Sequence, residues 1–439
     1  LGAWPKDEAG PFPRRHIIAR AIRRSLESAS STAPTLYLNE YFNGNIHAFD
    51  VNPRHNSAVI AAPGGVSLLI AHTGERTEIP TSLLGPSKFI SLATGGSSNS
   101  FLFLGGEHGG IEIRAWTDPE GRNPRIIRST EAVTRIVPSR TSDLIYFSTP
   151  AAVWLLDQSG VPRPLGQVTS ENASQHNVSS LTELSDLSFL LVGTRRGELF
   201  FADTTNTQSE LTQIRDFQSP IASIDYHGAT RQLAIGFSNG RVELHRVLES
   251  RDLEIPLLLE LESIIQPPLN TWADNSVDFI QFNLDGTRVF TGDSYGVFRV
   301  VDIRFGAVIY RIAGAAGSPA EQFDYDTSLT NSHRISGFHV SESGLDESTV
   351  RMNIWVATSD VDEDEDEDED LSSVSFWQLS LPQGDLMQIA CNVVHSQPMS
   401  NGDRGLQTIG LAAEIGIEGL TLPEDCDSYD PPLPPEFRR

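Results

Sequence analysis

The chain has 439 residues, of which 39% are hydrophobic and 21% are charged, so it is long enough to bury a sizeable core. Its formal net charge of −26 argues against direct DNA or RNA binding, because an acidic surface repels phosphates, and it favours basic partners. No stretch approaches 18 apolar residues, which leaves no candidate membrane span. The two cysteines, Cys391 and Cys426, form neither a metal-binding spacing nor a disulfide framework.

Residues 1–34 form an arm that precedes the repeated part of the chain. Within the arm, Ile18, Ile22 and Leu26 recur every four residues with arginines between them. This spacing predicts a short amphipathic helix over residues 14–26 with a basic polar face. Two interpretations of the helix stay open: it folds onto its own acidic protein, or it inserts into a groove of a partner.

A five-residue frame that opens and closes with glycine recurs along the chain between short apolar runs. Its copies lie at 106–110, 193–197, 236–240 and 292–296, and two copies with small residues in the glycine positions lie at 61–65 and 148–152. The closing positions are 45, 42, 45, 43 and 56 residues apart, and a period of about 40–45 residues is typical of β-propeller blades. Glycine tolerates the positive φ of a tight turn, so each frame is predicted to join two antiparallel strands of one blade.

The runs around the frames predict the strands of seven blades. First strands are predicted at 45–51, 88–93, 132–137, 178–182, 220–226, 277–283 and 334–340. Further strands are predicted at 288–292, 297–302 and 307–312 in the sixth blade, and at 353–357, 373–379 and 386–390 in the seventh. A strand at 35–38 is predicted to join the last blade and close the ring. The sequence therefore predicts an all-β, seven-bladed β-propeller over residues 35–395, with a short helix before it.

The sixth repeat resembles the WD repeat. It has Asp285-Gly286 in its first turn, a second strand that ends at Gly292, and Val301-Asp302 where the family has Trp-Asp. By pattern the resemblance extends over residues 35–395. It implies a WD-repeat type of propeller that acts as a non-enzymatic scaffold for protein–protein interaction in the nucleus or cytoplasm, as a monomer within a larger complex.

Residues Val301-Asp-Ile-Arg304 are similar to the Trp-Asp-x-Arg box of WD-repeat substrate receptors for cullin-RING ubiquitin ligases. In that family the arginine faces the propeller adaptor of the ligase, and a short helix before the propeller often docks there too. The resemblance implies partner-binding roles for Arg304 and Asp302, and for Ile18, Ile22 and Leu26 of the predicted helix. A ligase substrate receptor is thus the most specific form of the scaffold hypothesis.

An acidic loop, residues 361–370, lies between the second and third strands of the last predicted blade. It contains nine consecutive carboxylates, which supply about a third of the net charge and are predicted to protrude into solvent. One interpretation is a solubilising insertion, and the other is a clamp for a basic protein such as a histone. The clamp hypothesis assigns contacts to Asp362, Glu363, Asp364, Glu365 and Asp366. The acidic, Pro-rich tail over residues 396–439 is predicted to be disordered.

Motifs of catalysis give little support to an enzyme. The frames at 236–240 and 292–296 match Gly-x-Ser-x-Gly, but a nucleophile elbow requires a helix after the turn, and here a strand is predicted instead. Zinc-protease and phosphate-loop motifs are absent from the sequence. We therefore expect no catalytic residue, no metal and no cofactor. The alternative from another class is a propeller enzyme with an active site on the ring axis, built by several blades.

Overall fold

The structure is a computed structural model that describes most of residues 35–382 and neither end of the chain. The described ranges are 35–81, 89–95, 101–118, 124–157, 160–168, 178–206, 210–250, 256–265, 276–294, 296–303, 307–313, 333–346, 349–360 and 371–382. The predicted helix over 14–26, Arg304, the acidic loop and the tail lie outside these ranges.

Strands in the first half of the described chain build the outer latch and three blades. The latch strand is β1 (Thr35–Asn43). Blade 1 holds β2 (Ala48–Asn52), β3 (Ser57–Ala62), β4 (Gly65–Ile70) and β5 (Arg76–Ile79). Blade 2 holds β6 (Phe89–Gly95), β7 (Phe101–Gly106), β8 (Ile111–Ala115) and β9 (Arg125–Ile127). Blade 3 holds β10 (Arg135–Pro138), β11 (Ile145–Ser148), β12 (Ala152–Leu156) and β13 (Pro162–Gln167).

The second half of the chain builds four more blades. Blade 4 holds β14 (Val178–Leu184), β15 (Phe189–Thr194), β16 (Glu198–Asp203) and β17 (Thr212–Asp216). Blade 5 holds β18 (Ile221–His227), β19 (Gln232–Phe237), β20 (Val242–Glu249) and β21 (Leu257–Ile265). Blade 6 holds β22 (Phe279–Phe282), β23 (Arg288–Gly292), β24 (Val297–Asp302) and β25 (Ala307–Ala313). Blade 7 holds β26 (His333–Asp346), β27 (Thr349–Asp360) and β28 (Leu371–Pro382).

These strands form seven four-stranded antiparallel sheets in the described part of the chain, and no helix occurs there. The prediction of an all-β, seven-bladed propeller is confirmed. Six blades pair their strands in chain order, whereas the last sheet has the order β1-β28-β27-β26. The first strand of the described chain therefore latches onto the last blade, as predicted. It takes the position next to β28 at the outer edge of the described sheet, and residues 386–390, which were also predicted as an outer strand, lie outside the described residues.

The frame glycines lie at the turns between the second and third strands, as predicted. In blade 5 the N–H of Phe237 donates to the carbonyl oxygen of Arg241, and in blade 2 the N–H of Gly106 donates to that of Gly110. The blade 5 frame, 236–240, opens one residue before the donor Phe237. The equivalent frame of blade 2 therefore opens one residue before Gly106 and spans 105–109, one residue earlier than predicted. Its closing residue, Gly109, has φ +93°, a left-handed conformation that suits glycine.

The hydrophobic core lies largely between adjacent blades. Phe103 of blade 2 shares one buried cluster with Val133 and Phe147 of blade 3. In the same way, Leu244 of blade 5 shares a cluster with Val277 before β22. Because each blade buries one face against the next, the apolar area removed from water depends on the ring being complete.

Candidate functional site

The two ends of the ring present different loops. We call the end that carries the turns between second and third strands the frame-turn face, and the other end the opposite face. Ile221, at the start of β18, pairs with Phe237, at the end of β19, just before the frame turn. The first strand of that blade therefore begins at the frame-turn face and ends at the opposite face, and the other blades follow the same antiparallel order.

Three arginines lie at the frame-turn face, and we call them the arginine rim: Arg135, Arg195 and Arg334. Arg135 begins β10, Arg334 is the second residue of β26, and Arg195 lies within the blade 4 frame. All three are exposed. Because first strands border the axis of a propeller, Arg135 and Arg334 lie beside the mouth of the central channel.

The contacts of the rim fix two of its guanidinium groups. Arg135 donates from Nε to the carbonyl oxygen of Ser179 at 3.1 Å, and from Nη1 to that of Thr134 at 3.0 Å. Arg334 forms an ion pair with Asp278, with 2.7 Å between Nη2 and Oδ2. Arg135 thus meets uncharged carbonyl groups in these contacts, whereas Arg334 is paired with a carboxylate.

Electrostatics connects the rim residues with one another. The side chain of Arg135 is exposed at the surface, but the protein around it keeps water away from part of the guanidinium. This desolvation lowers the pKa of Arg135. The positive charges of Arg195 and Arg334 lower the pKa further, while the negative charge of Asp278 opposes them. Among the described residues that act on Arg135, two arginines are therefore set against one carboxylate. Such a concentration of positive charge is unexpected in a chain whose net charge is −26.

The opposite face has a different arrangement around Arg140, which follows β10. Its Nη2 contacts Oδ1 of Asp225 at 3.3 Å, so a side chain of blade 3 reaches blade 5. The backbone N–H of Arg140 donates to Oε2 of Glu183 at 2.9 Å, which ties blade 3 to blade 4. Burial raises the pKa of Asp225, and the charge of Arg140 opposes that shift. Arg140 therefore links three blades on this face.

Buried and partly buried polar side chains of the first strands connect neighbouring blades. Asp225 accepts the N–H of Phe282 at 2.7 Å, and Asp50 accepts the N–H of Thr94 in the same way. The side-chain amide of Gln281 donates to the carbonyl oxygen of Val340 in blade 7 and accepts the N–H of the same residue. These hydrogen bonds satisfy backbone groups, which indicates a structural role for the carboxylates rather than a catalytic one.

The contribution of Asp50 to the stability of the contact between blades 1 and 2 depends on pH. Burial raises its pKa from 3.8 to about 6, although hydrogen bonds from Thr94 oppose the shift. Between these two values the folded state holds more protons than the unfolded state. The contribution of Asp50 to stability therefore falls as the pH rises through that window, and stays low above it.

Chemistry of a metal or acid–base site is not evident in the described ranges. No group of three or more His, Cys, Asp or Glu side chains there could hold a metal ion. His339, on the first strand of blade 7, has its pKa lowered to about 4 by burial and by the charge of Arg140, so it is neutral at pH 7. No helix in the described part is long and apolar enough to cross a membrane.

The structure describes only one of the partner-binding residues predicted from the sequence. Asp302 is the last residue of β24 and is 0% exposed, so its side chain lies inside blade 6. The third strand of a blade ends at the opposite face, where Ile303 is the last described residue, and Arg304 lies outside the described ranges. Ile18, Ile22, Leu26 and the carboxylates Asp362, Glu363, Asp364, Glu365 and Asp366 also lie outside the described residues.

The ends of the acidic loop are nevertheless fixed by described strands. Asp360 ends β27 and Leu371 begins β28, so the loop leaves from and returns to the frame-turn face. Asp360 pairs with His333, and Ser359 pairs with Arg334. The two strand ends that bound the acidic loop therefore lie at the same face as the arginine rim, and Ile303, the last described residue before Arg304, lies at the other face.

Comparisons with known proteins agree with the architecture. No family model and no curated protein matches the chain. Among solved structures, the β-propeller domain of Cps50 (Swd1) from Myceliophteria thermophila is similar, with a TM-score of 0.55 and 13% sequence identity. The match covers 77% of this chain and 99% of that one. The class of protein is thus a seven-bladed β-propeller.

Proposed function

We propose that this propeller is a non-enzymatic interaction scaffold, and that its opposite face docks it to a cullin-RING ubiquitin ligase as a substrate receptor. The observation that carries the proposal is the position of Val301-Asp302 at the end of the regular strand β24, just before Arg304. Val301 and Asp302 are both buried, at 1% and 0% exposure. They hold the end of the strand in place while the residues after it leave at the opposite face.

Burial explains why Asp302 supports the box without contacting a partner itself. Its cross-strand neighbour on β23 is Arg288, which is 4% exposed and carries the opposite charge. The N–H of Ile303 then donates to the carbonyl oxygen of Thr287 at 3.0 Å. The backbone is consequently fixed up to one residue before Arg304, which is a favourable arrangement for a guanidinium that reaches across an interface.

The test removes the two proposed docking elements together. Arginine is favoured at such contacts because its planar fork binds carboxylates through two bonds. Loss of an arginine at the centre of an interface costs on the order of 2 kcal/mol or more, which is over tenfold in affinity. Arg304→Ala combined with deletion of residues 14–26 is therefore expected to release a co-purifying cullin adaptor.

A matched control is Arg246→Ala, which removes an exposed arginine from the third strand of the neighbouring blade, where it pairs with Glu262. This variant should retain the adaptor. Both variants should melt at the temperature of the wild type, since neither change removes a buried side chain of the described fold. Failure of the wild-type chain to bind an adaptor would eliminate the receptor hypothesis.

A second candidate function is a propeller that binds histones or chromatin complexes through its acidic loop. It is favoured by the position of nine consecutive carboxylates at the end of the long β27–β28 ladder, which runs from Thr349 to Thr358. That ladder ends at the frame-turn face, where Asp360 and Leu371 bound the loop. The two functions use opposite faces, so variants of one face should leave the other function intact.

A further inference from the structure

We infer that the arginine rim is a binding site for a carboxylate-rich segment, and that its occupant is the run Asp362–Asp370 of the same chain. The rim is composed of described residues, and the carboxylate of Asp278 offsets only one of its three positive charges. Arg135 meets backbone carbonyls, and Arg334 meets the single carboxylate of Asp278. The site goes beyond the proposed receptor function, which belongs to the opposite face.

The attachment points place this segment beside the rim. Asp360 and Arg334 lie on adjacent strands, one residue apart in register. Ten residues of extended chain span roughly 35 Å, so a loop that returns to its origin reaches about half that distance. The rim guanidiniums are close enough for the charges of Arg195 and Arg334 to shift the pKa of Arg135. A segment that starts beside Arg334 can therefore meet more than one of them.

Charge complementarity makes this occupant favourable. Nine adjacent carboxylates repel one another in solvent, and pairing with guanidiniums relieves part of that repulsion. A single exposed ion pair contributes little to binding, so several pairs must form together. Tethering assists them, because a short linker gives an effective concentration in the millimolar range. The interaction should weaken as salt screens the exposed charges.

A consequence is competition at the frame-turn face. A basic protein that captures the acidic run must first displace it from the rim, and an acidic ligand that reaches the rim must displace the run. The arginines therefore set the affinity of the loop for a basic partner, although they do not touch that partner.

The test uses a fluorescein-labelled peptide with the sequence of residues 362–370 as the probe. It is titrated against the wild-type chain and against a variant in which residues 362–370 are replaced by a Gly-Ser linker. We expect the linker variant to bind the peptide and the wild type to bind it about tenfold more weakly, because the tethered run occupies the rim. Raising the salt from about 50 to about 500 mM should abolish the binding.

A second variant locates the binding surface. In the linker background, Arg135→Gln, Arg195→Gln and Arg334→Gln together should remove peptide binding. A matched triple of exposed arginines elsewhere, Arg54→Gln, Arg125→Gln and Arg246→Gln, changes the net charge equally and should retain it.

Two results would overturn the inference. Equal binding of the peptide to wild type and linker variant would show that the run does not occupy the rim. Absence of binding to the linker variant would show that the rim is no site for carboxylates. The comparison between wild type and linker variant needs no rim substitution, so it decides the question even if the triple variant does not fold.

Discussion

Replacing Gly197 with alanine is expected to lower the free energy of unfolding by about 3 kcal/mol or more. Gly197 closes the frame of blade 4 with φ +91°, a conformation that costs a residue with a Cβ about 1–2 kcal/mol. An added Cβ would also overlap the carbonyl oxygen of Phe217 and lie 2.6 Å from that of Ser219. Both are backbone atoms, and Phe217 donates its N–H to the carbonyl oxygen of Gly197 at 2.8 Å. The turn therefore cannot shift without losing that bond.

The control for this substitution is Gly64→Ala in the equivalent turn of blade 1. A Cβ at Gly64 would meet no atom within 4 Å, and its φ is outside the left-handed region. Its effect should remain within about 0.5 kcal/mol. Urea denaturation followed by tryptophan fluorescence measures both. A Gly197→Ala variant as stable as the Gly64→Ala variant would contradict the structure of the frame turn.

Phe42→Ala should weaken the closure of the ring by about 3–5 kcal/mol, the usual cost of removing a buried phenylalanine. Phe42 lies on the latch strand β1 and is 2% exposed. It packs in a cluster that joins Leu69 of blade 1 to Trp355 and Phe376 of blade 7. The guanidinium of Arg76 also lies 4.5 Å from the centre of its ring. One side chain thus connects the first and last blades.

The adjacent residue supplies the matched control. Tyr41 points to the other side of β1 and is 55% exposed, so Tyr41→Ala should change stability by no more than about 0.5 kcal/mol. Limited proteolysis should then cut the Phe42→Ala chain near its N-terminal strand faster than it cuts the Tyr41→Ala chain. Equal stability and equal cleavage of the two variants would mean that β1 does not latch the ring.

The fold could be predicted because its signal is periodic and local. In blade 6 the strands at 288–292 and 297–302 were predicted with the bounds that the structure has. The blade 2 frame was misplaced by one residue because two glycine pairs, Gly105-Gly106 and Gly109-Gly110, allow both alignments. Strand pairing at the latch could be proposed from its composition, but two segments competed for the outer position and only the structure assigns it to β1.

The candidate site was harder to predict, because its residues are distant along the chain. Arg135 and Arg195 are separated by 60 positions, and Arg195 and Arg334 by 139. None of the three arginines belongs to a sequence motif. Their common position becomes clear only when the blades are aligned, because two lie at the start of a first strand and one lies in a frame. Arg304 could be proposed from sequence because it belongs to a short linear box, and it stays a prediction.

The central claim, that this propeller is an interaction scaffold, is tested most directly by purifying the tagged full-length chain from its own cells and quantifying its partners by mass spectrometry. The account predicts a protein partner in near-equimolar amount. A cullin adaptor lost on Arg304→Ala with deletion of residues 14–26 supports the receptor, and histones lost on replacement of residues 362–370 support the chromatin alternative. A chain that purifies without any stoichiometric partner would contradict the account and favour the enzyme hypothesis.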